Sequence, residues 1–331
     1  MIGKLKLSAS AAALALLVAG AVSSAQAADV IDEGCTLSGS VGIGYMFDWQ
    51  NNDFDIGSED GVDGDVDWNT PFGEAGGLVT CGGFNVQADF AYYNHQGDAG
   101  NVGKFDIDDV DADNSHFGGA LFWRDPSYAA LGVSASWVNQ DVLTKDSDTF
   151  RGGVFGEFYM ESFTLGASAH YFNGEVINVG PLDIDQDGFE LAAWGRFYAT
   201  PDLSLMVRGD ALFSNIDLPS GIDTDVDLNG WAISGEAEYL AWDKGLSVFG
   251  GVRYAQRSID VDDVDFDVDI DDTQVYAGLK FYFGQDGTLQ DRQRTGTIDN
   301  TSVFLEKLPN ALTSGVLGLA NAAGGGGGLP F

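Results

Sequence analysis

Hydrophobic and polar residues alternate with a period of two in twelve segments of this chain. In the first segment Leu37, Val41 and Ile43 share one face, while Ser38 and Ser40 share the other. Successive side chains of a β-strand point to opposite faces, so this period predicts strands. Most have about 11 residues, the length that a tilted strand needs to cross a bilayer. The predicted strands are 36–49, 73–81, 84–95, 115–124, 128–139, 149–159, 162–173, 188–199, 203–213, 230–242, 246–257 and 272–284.

The connections between these strands are of two kinds, which alternate. One side has tight turns such as Cys81-Gly82-Gly83 and Thr200-Pro201-Asp202, whereas the other has longer, acidic connections. A soluble β-sandwich also alternates, but its turns need not be systematically unequal. Short periplasmic turns and longer extracellular loops are typical of outer-membrane barrels. The pattern therefore predicts an all-β fold, a closed antiparallel transmembrane β-barrel of twelve strands.

Aromatic residues end the apolar faces of the predicted strands at both membrane borders, as interfacial girdles do. With segment 36–49 running outward, the outer set is Trp49, Tyr92, Trp137, Tyr171, Phe213 and Tyr254. The inner set is Trp123, Phe158, Phe197, Tyr239 and Phe281.

The polarity of the two faces inverts beyond the outer girdle. In the eleventh segment the lipid face continues from Tyr254 to Asp260, and the lumen face continues from Arg257 to Ile259. Water surrounds the wall there, so apolar side chains gain by turning inward. We therefore predict strands that project beyond the membrane, with disordered acidic loops as the alternative. Apolar side chains converging at the mouth would narrow it or form an apolar vestibule.

The ends of the chain differ from the barrel segments. Lys4 and Lys6 precede the apolar stretch 11–22, and Ala25-Gln26-Ala27 fits a cleavage site, so residues 1–27 are predicted to be a signal peptide. Residues 28–284 form the barrel. Residues 285–331 are Gly-rich near their end and predict a flexible periplasmic tail. The alternative is a segment that folds back into the lumen or binds a periplasmic partner.

Charge and cysteine content limit the partners of the protein. The formal charge of −36 excludes nucleic acid as a natural partner, since phosphate binding needs basic patches, and it attracts cations. Cys35 opens the first strand and Cys81 closes the second, so both lie at the periplasmic rim. An exported protein with two such cysteines is expected to form one disulfide; two free thiols are the alternative.

The chain resembles Gram-negative outer-membrane β-barrel proteins of the porin-like kind. The resemblance covers residues 1–284 and includes the signal, the strands, the girdles and the closing strand 275–283. It implies the cell outer membrane as the location, with membrane lipid and lipopolysaccharide as the surroundings. The residues after 284 depart from it, because such proteins usually end on the last strand.

Charged residues of both signs fall on the lumen face. Twelve tilted strands give a backbone diameter of roughly 24 Å, so these residues either line a narrow aqueous path or pair into a network that fills it. The predicted lumen-lining residues are Asp89, Arg151, Glu157, Glu190, Arg196, Arg208, Asp210, Glu236, Glu238, Arg253, Arg257 and Lys280.

One acidic stretch has carboxylates at the spacing of a calcium-binding loop. These are Asp63, Asp65, Asp67 and Glu74, although Trp68 stands where such a loop needs glycine. The alternative is loose association of Ca²⁺ or Mg²⁺ with the acidic rim. No cofactor fingerprint occurs. The three histidines, with His170 near Ser168, do not establish a nucleophile and base, so we expect no enzyme.

Two classes of function follow. The first is a porin-like channel for ions or small solutes, with a narrow mixed-charge lumen and a cation-attracting rim. The second is a non-conducting surface barrel that binds divalent cations or external partners. A carrier of small hydrophobic molecules is a variant of the first, suggested by the apolar vestibule.

Overall fold

The computed structural model describes residues 34–56, 62–98, 101–102, 105–106, 110–142, 145–179, 182–217, 226–261 and 266–311 of the 331-residue chain. Twelve antiparallel strands form a closed barrel, and β4 and β5 form a separate two-stranded hairpin. The strands are β1 Cys35–Ile56, β2 Val62–Cys81, β3 Phe84–Asp98, β4 Asn101–Val102, β5 Phe105–Asp106, β6 Val110–Asp125, β7 Ala129–Val142, β8 Lys145–Met160, β9 Phe163–Val179, β10 Leu182–Thr200, β11 Leu203–Asp217, β12 Val226–Trp242, β13 Leu246–Val261 and β14 Phe266–Phe283.

All twelve predicted strands are present, and the predicted fold class is confirmed. Their periplasmic ends lie within one residue of the predicted positions, because tight turns, most of which contain glycine or proline, mark them. Their outer ends lie three residues (98 against 95) to eleven residues (62 against 73) beyond the predicted ends. The predicted signal peptide lies outside the described residues.

The barrel closes where β1 pairs with β14, from Gly39 opposite Phe283 to Ile56 opposite Phe266. On its other side β1 pairs with β2, and this register places Cys35 opposite Cys81. These two cysteines form a disulfide, which confirms the predicted pairing. The disulfide therefore joins the first two strands at the periplasmic rim.

The outer face of the barrel at membrane level is apolar. From Ile43 onward the side chains of β1 at odd positions are exposed, for example that of Trp49, while Ser38 and Asp48 are buried inside. Trp49 and Tyr254 both pair with Thr273, so the two aromatic residues flank the same position of β14. An apolar band with aromatic borders is the surface that a bilayer requires.

Above the outer girdle the two faces exchange their polarity, as predicted. Asp53, Asp260 and Asp269 are exposed on the outside. The inward residues form one apolar cluster, the vestibule, whose wall members include Phe54, Ile216, Val226, Leu228, Ile259, Val268 and Ile270. Several residues of these outer segments have side chains that lie outside the described part of the structure, namely Ile56, Leu182, Asp183, Ile184, Asp217, Leu218, Asp223, Asp225, Asp262, Asp265 and Phe266.

The chain does not leave the barrel after β14. Residues 285–311, which we call the plug, enter the lumen, and Leu289, Val303, Phe304, Leu305 and Leu308 are buried there. Helix α1 spans Leu289–Thr295, and one π-helical turn spans Val303–Lys307. This corrects the expected periplasmic tail over residues 285–311, while residues 312–331 lie outside the described part. In the described part of the chain, no helix is long and apolar enough to cross a membrane.

Candidate functional site

The plug begins with helix α1, which lies across the periplasmic mouth of the barrel. Thr288 caps the helix, since its hydroxyl accepts from the amide of Asp291 and the Asp291 carboxylate accepts in return. The amide of Gln290 donates to the Pro201 carbonyl at 3.1 Å, and its side chain donates to the Glu161 carbonyl at 2.6 Å. Helix α1 is therefore held by two different periplasmic turns.

The middle of the plug is held by side chains of the barrel wall. Gln87 makes two hydrogen bonds with Ile298: its amide nitrogen donates to the carbonyl at 2.7 Å, and its oxygen accepts from the backbone amide at 2.9 Å. Arg124 donates to the Gly296 carbonyl at 2.7 Å, and Arg151 donates to the Asn300 carbonyl at 2.6 Å. Wall side chains thus satisfy the backbone groups of a segment that belongs to no sheet.

Higher in the lumen, a charged contact links the plug to the wall. His116 faces Asp89 through Nε2 at 2.8 Å and Glu306 of the plug through Nδ1 at 2.9 Å. An imidazole donates from both nitrogens only when it is protonated, so His116 bridges the two carboxylates as a cation. Asn114 adds hydrogen bonds to the carbonyls of Glu306 and Leu308.

The outer part of the plug is apolar and fills the vestibule. The side chains of Val303, Phe304, Leu305, Leu308 and Ala311 pack into the same cluster as the inward residues of the wall. The inverted polarity of the outer strands therefore creates an apolar site, and the plug occupies it. The hydrophobic effect stabilises this end of the plug, whereas polar contacts stabilise the middle.

Most of the predicted lumen charges are paired inside the barrel. Four wall pairs join predicted residues to carboxylates: Arg151 with Glu190 at 2.5 Å, Arg208 with Asp210 at 2.7 Å, Arg257 with Asp272 at 2.8 Å and Lys280 with Glu238 at 4.0 Å. Asp89 pairs with His116. The remaining predicted residues, Glu157, Arg196, Glu236 and Arg253, line a cavity beside the plug.

This cavity has a volume of about 160 Å³ and lies between the wall and residues 297–307 of the plug. Charged side chains alternate around it with aromatic ones, among them Phe72, Trp194 and Tyr276. A Cβ atom at Gly166 would lie 2.1 Å from the Trp194 ring, so glycine makes room for that ring on the neighbouring strand. The lumen is therefore neither an open pore nor fully filled.

Several residues of this site were not predicted from the sequence. His116 and Asp272 lie on the lumen face, and their strand phase could have placed them there. Asp299, Glu306 and Lys307 had no such signal, because the plug has no period and its contacts lie far away in sequence. Lys307 and Asp299 lie 3.1 Å apart, and Asp299 also faces Arg208 at 3.7 Å.

His170 does hydrogen-bond to a serine, but that serine is Ser134 on β7, which β8 separates from the strand of His170, and not Ser168. Ser134 Oγ lies 2.8 Å from Nε2 of His170, and Arg151 donates to Nδ1 at 3.0 Å. With Nδ1 accepting, the proton of a neutral ring lies on Nε2, and that nitrogen donates to the serine. The ring cannot then accept a proton from Ser134, so this arrangement lacks the activated nucleophile of a hydrolase.

The calcium-like stretch of the sequence is a continuous strand in the structure. Asp65 and Asp67 are exposed on the outside of β2, whereas Glu74 faces the lumen and accepts from Tyr93 at 2.5 Å. The structure does not bring these carboxylates together; the side chain of Asp63 lies outside the described residues. Among the residues that are described, no group of three or more His, Cys, Asp or Glu side chains could hold a metal ion.

Aspartates repel one another on the outer rim. Partial burial, together with the nearby Asp267 and Asp227, raises the pKa of Asp260 above its usual value. Partial burial and the neighbouring Asp271 and Asp260 raise the pKa of Asp269 in the same way. At neutral pH the negative charges of this rim therefore repel one another.

Comparison with known proteins gives a likeness of fold. No family model matches the sequence, and no curated protein matches it. An outer membrane channel from Pseudomonas putida F1 is 9% identical, covers 74% of this chain and 96% of its own, and has a TM-score of 0.54. The P. putida toluene transporter TodX is 10% identical over 80% and 92% of the two chains, with a TM-score of 0.37. The KdgM porin, in complex with oligogalacturonate, is 10% identical over 72% and 99%, with a TM-score of 0.35. The likeness to the channel from P. putida F1 shows that this chain has the fold of an outer-membrane β-barrel.

Proposed function

We propose that the protein is a porin-like outer-membrane channel for small solutes, closed in this structure by its own plug. One observation carries the proposal. Between the described plug and the barrel there is a single backbone–backbone hydrogen bond, from Gln290 to Pro201, while the wall closes on itself from β1 to β14. The plug can therefore leave without opening the ladder of the wall.

The lumen beside the plug supports transport rather than a purely structural role. A barrel wall built only for stability gains from apolar or fully paired contacts inside, because a buried unpaired charge is costly. Here Arg196, Arg253, Glu157 and Glu236 face a cavity instead. Charges that line water-filled space are typical of barrels that pass solutes.

The test is conductance across a planar bilayer with the plug locked or free. Ser40 Oγ lies 3.2 Å from Thr297 Oγ1, so a Ser40→Cys, Thr297→Cys pair is placed to form a disulfide that holds the base of the plug. We expect conductance steps in the wild-type protein, none in the oxidised double variant, and their return after reduction.

The wild-type protein treated with the same reductant is the control, since it also contains the Cys35–Cys81 disulfide. Silence of the wild type in every condition, including applied voltage, would contradict the channel and favour the non-conducting alternative. Equal conductance of the oxidised and reduced double variant would show that the plug does not gate.

Two other functions have an observation in their favour. The vestibule would suit small hydrophobic molecules once Phe304 and Leu305 withdraw, which favours a carrier. The raised pKa values of Asp260 and Asp269 favour loose binding of Ca²⁺ or Mg²⁺ at the rim, next to lipopolysaccharide. We expect no enzymatic activity in any of these functions.

A further inference from the structure

Unpaired charges in the lumen are concentrated at the cavity. Among the described residues, no opposite charge lies within 4.0 Å of Arg196, Arg253, Glu157 or Glu236, although each of the four lines the same cavity. The other wall arginines that line or adjoin the lumen at this level, Arg151 and Arg208, have carboxylate partners. The cavity therefore carries charges of both signs without an ion-pair partner in the described part of the chain, and Glu74, which also lines it, has none there either.

The two arginines keep unused donors. Arg253 is 6% exposed, lies over the Tyr276 ring at 5.4 Å and donates from one nitrogen to the side-chain oxygen of Gln274, while its Nε has no hydrogen-bond partner. Arg196 donates from one nitrogen to the sulfur of Met206 at 3.3 Å, and its Nε is likewise without a partner. A guanidinium group has five N–H donors, so both arginines keep donors that can bind a carboxylate.

The two carboxylates receive hydrogen bonds only from neutral groups. Tyr276 donates to Glu236 at 3.2 Å. Glu157 accepts from Tyr159 at 2.8 Å and from the indole of Trp194 at 3.3 Å. A carboxylate offers about four lone-pair sites, so each can still accept from an ammonium group.

We propose that the cavity binds a small zwitterion that carries one carboxylate, one ammonium group and a short apolar body, which is the chemistry of an amino acid. The proposal rests on the proposed channel function and names its class of solute. Arg253 and Arg196 take the carboxylate, Glu236 and Glu157 take the ammonium group, and Phe72 with Phe249 contacts the apolar body. The volume of about 160 Å³ limits that body to a few carbon atoms, since a cavity of about 150 Å³ holds one benzene molecule.

The plug itself carries the same two groups at the cavity. Asp299 and Lys307 form an ion pair at 3.1 Å, and the Asp299 side chain is 49% exposed toward the space beside the wall. Asp299 also approaches Arg208 at 3.7 Å. A carboxylate and an ammonium group are thus already in place where the solute would lie.

A singly charged ion suits the cavity less well than a zwitterion. An anion would leave Glu236 and Glu157 without a cation, and a cation would leave Arg253 and Arg196 without a carboxylate. A zwitterion can pair with both sets of charges, so it gains more than either ion. Recognition therefore depends on both charges of the solute.

Isothermal titration of the full chain in detergent micelles tests the proposal with three matched probes. These are L-valine, isovalerate, which lacks the ammonium group, and isobutylamine, which lacks the carboxylate. We expect valine to bind and each single-charge analogue to bind about tenfold more weakly or worse. No heat from valine at concentrations of tens of millimolar would overturn the proposal, and so would equal affinity of valine and either analogue.

Two variants assign the ends of the solute. Arg253→Gln is expected to lower the affinity for valine about tenfold and to leave the affinity for isobutylamine unchanged. Glu236→Gln is expected to lower the affinity for valine and to leave the affinity for isovalerate unchanged. Lys244→Gln, in an exposed periplasmic turn, is the matched control and should bind valine as the wild type does. Equal valine affinity in all three variants would overturn the assignment, and heat-modifiable mobility on gels verifies that each barrel has folded.

The outcome is separable from that of the channel proposal. Valine binding without conductance would contradict the channel and leave the binding site. If the protein conducts but valine neither binds to it nor changes the conductance, the channel proposal stands and the amino-acid site is overturned.

Discussion

The barrel at membrane level and the barrel above it are built from the same strands with opposite polarity. In β14, Leu279 and Val275 face lipid, and Ile270 and Val268 face the interior. The backbone continues without a break, so the reversal lies in the sequence and not in the fold. The side-chain phase of a strand records which medium touches each face, hydrocarbon below the girdle and water above it.

The two levels also hold the plug by different means. The middle of the lumen binds it through hydrogen bonds such as those of Gln87 and Arg151, whereas the vestibule binds it through apolar packing. A hydrogen bond has a direction and excludes other registers, and the hydrophobic effect does not. The middle therefore fixes the position of the plug, and the vestibule contributes buried area.

The largest loss of stability is expected from a substitution at the boundary between the two levels of the barrel. Arg257 is 1% exposed, pairs with Asp272 at 2.8 Å and donates to the Pro309 carbonyl at 2.6 Å. Arg257→Gln leaves Asp272 buried and without its cation, so we expect the unfolding free energy to fall by about 3–5 kcal/mol. Urea unfolding, followed by gel mobility, measures this unfolding free energy, and Lys244→Gln is the exposed control. A loss as small as that of the control would show that the pair is hydrated and not buried.

A pair of truncations in one strand tests the reversal of polarity directly. Ile270 is 0% exposed in the vestibule cluster, so Ile270→Ala should cost about 2–4 kcal/mol. Leu279 faces lipid with 45% exposure, so Leu279→Ala should cost under about 1 kcal/mol. Unfolding in the same detergent compares the two variants. If Leu279→Ala were the more costly, the inward placement of the upper apolar residues would be wrong.

The smallest change in stability is expected at the acidic rim, when the pH is lowered. The pKa values of Asp260 and Asp269 are raised in the folded protein, so folding opposes their ionisation. This penalty is fully present above the folded pKa and disappears as the pH falls below the unfolded value of about 3.9. We therefore expect the outer wall to gain stability between pH 7 and about pH 4.

Hydrogen exchange at amides 259–261 and 266–270 measures the gain, as protection factors corrected for intrinsic rates. Calcium at pH 7 should act in the same direction, because a bound cation also relieves the repulsion. The Asp260→Asn, Asp269→Asn variant should lose most of both responses. Unprotected amides in these ranges at every pH would show that the outer strands are not ordered.

Much of the fold follows from local patterns. The period of two, the tight turns and the girdles predict all twelve strands and their periplasmic ends, and the strand register predicts the disulfide. The outer ends are less well predicted because the predicted strands stop at the aromatic girdle, whereas the strands of the structure continue beyond it. The phase continues there, and this continuity is what indicates the projecting wall.

The plug is the part for which the sequence favoured a flexible tail, with a segment folded back into the lumen only as the alternative. Its polar residues look like those of any soluble tail, since the partners of Ile298, Asn300 and Glu306 lie more than a hundred residues away. The glycines that suggested a flexible tail lie at 324–328, outside the described residues. Candidate lumen residues could be named from strand phase, but which of them stay unpaired depends on where the plug lies.

The position of the plug at the end of the chain constrains the order of assembly. Its contacts come from strands all around the wall, among them Gln87 in β3, Gln140 in β7 and Gln274 in β14. These strands surround a common interior only after β14 has paired with β1. We therefore expect the barrel to close first and the plug to dock afterwards.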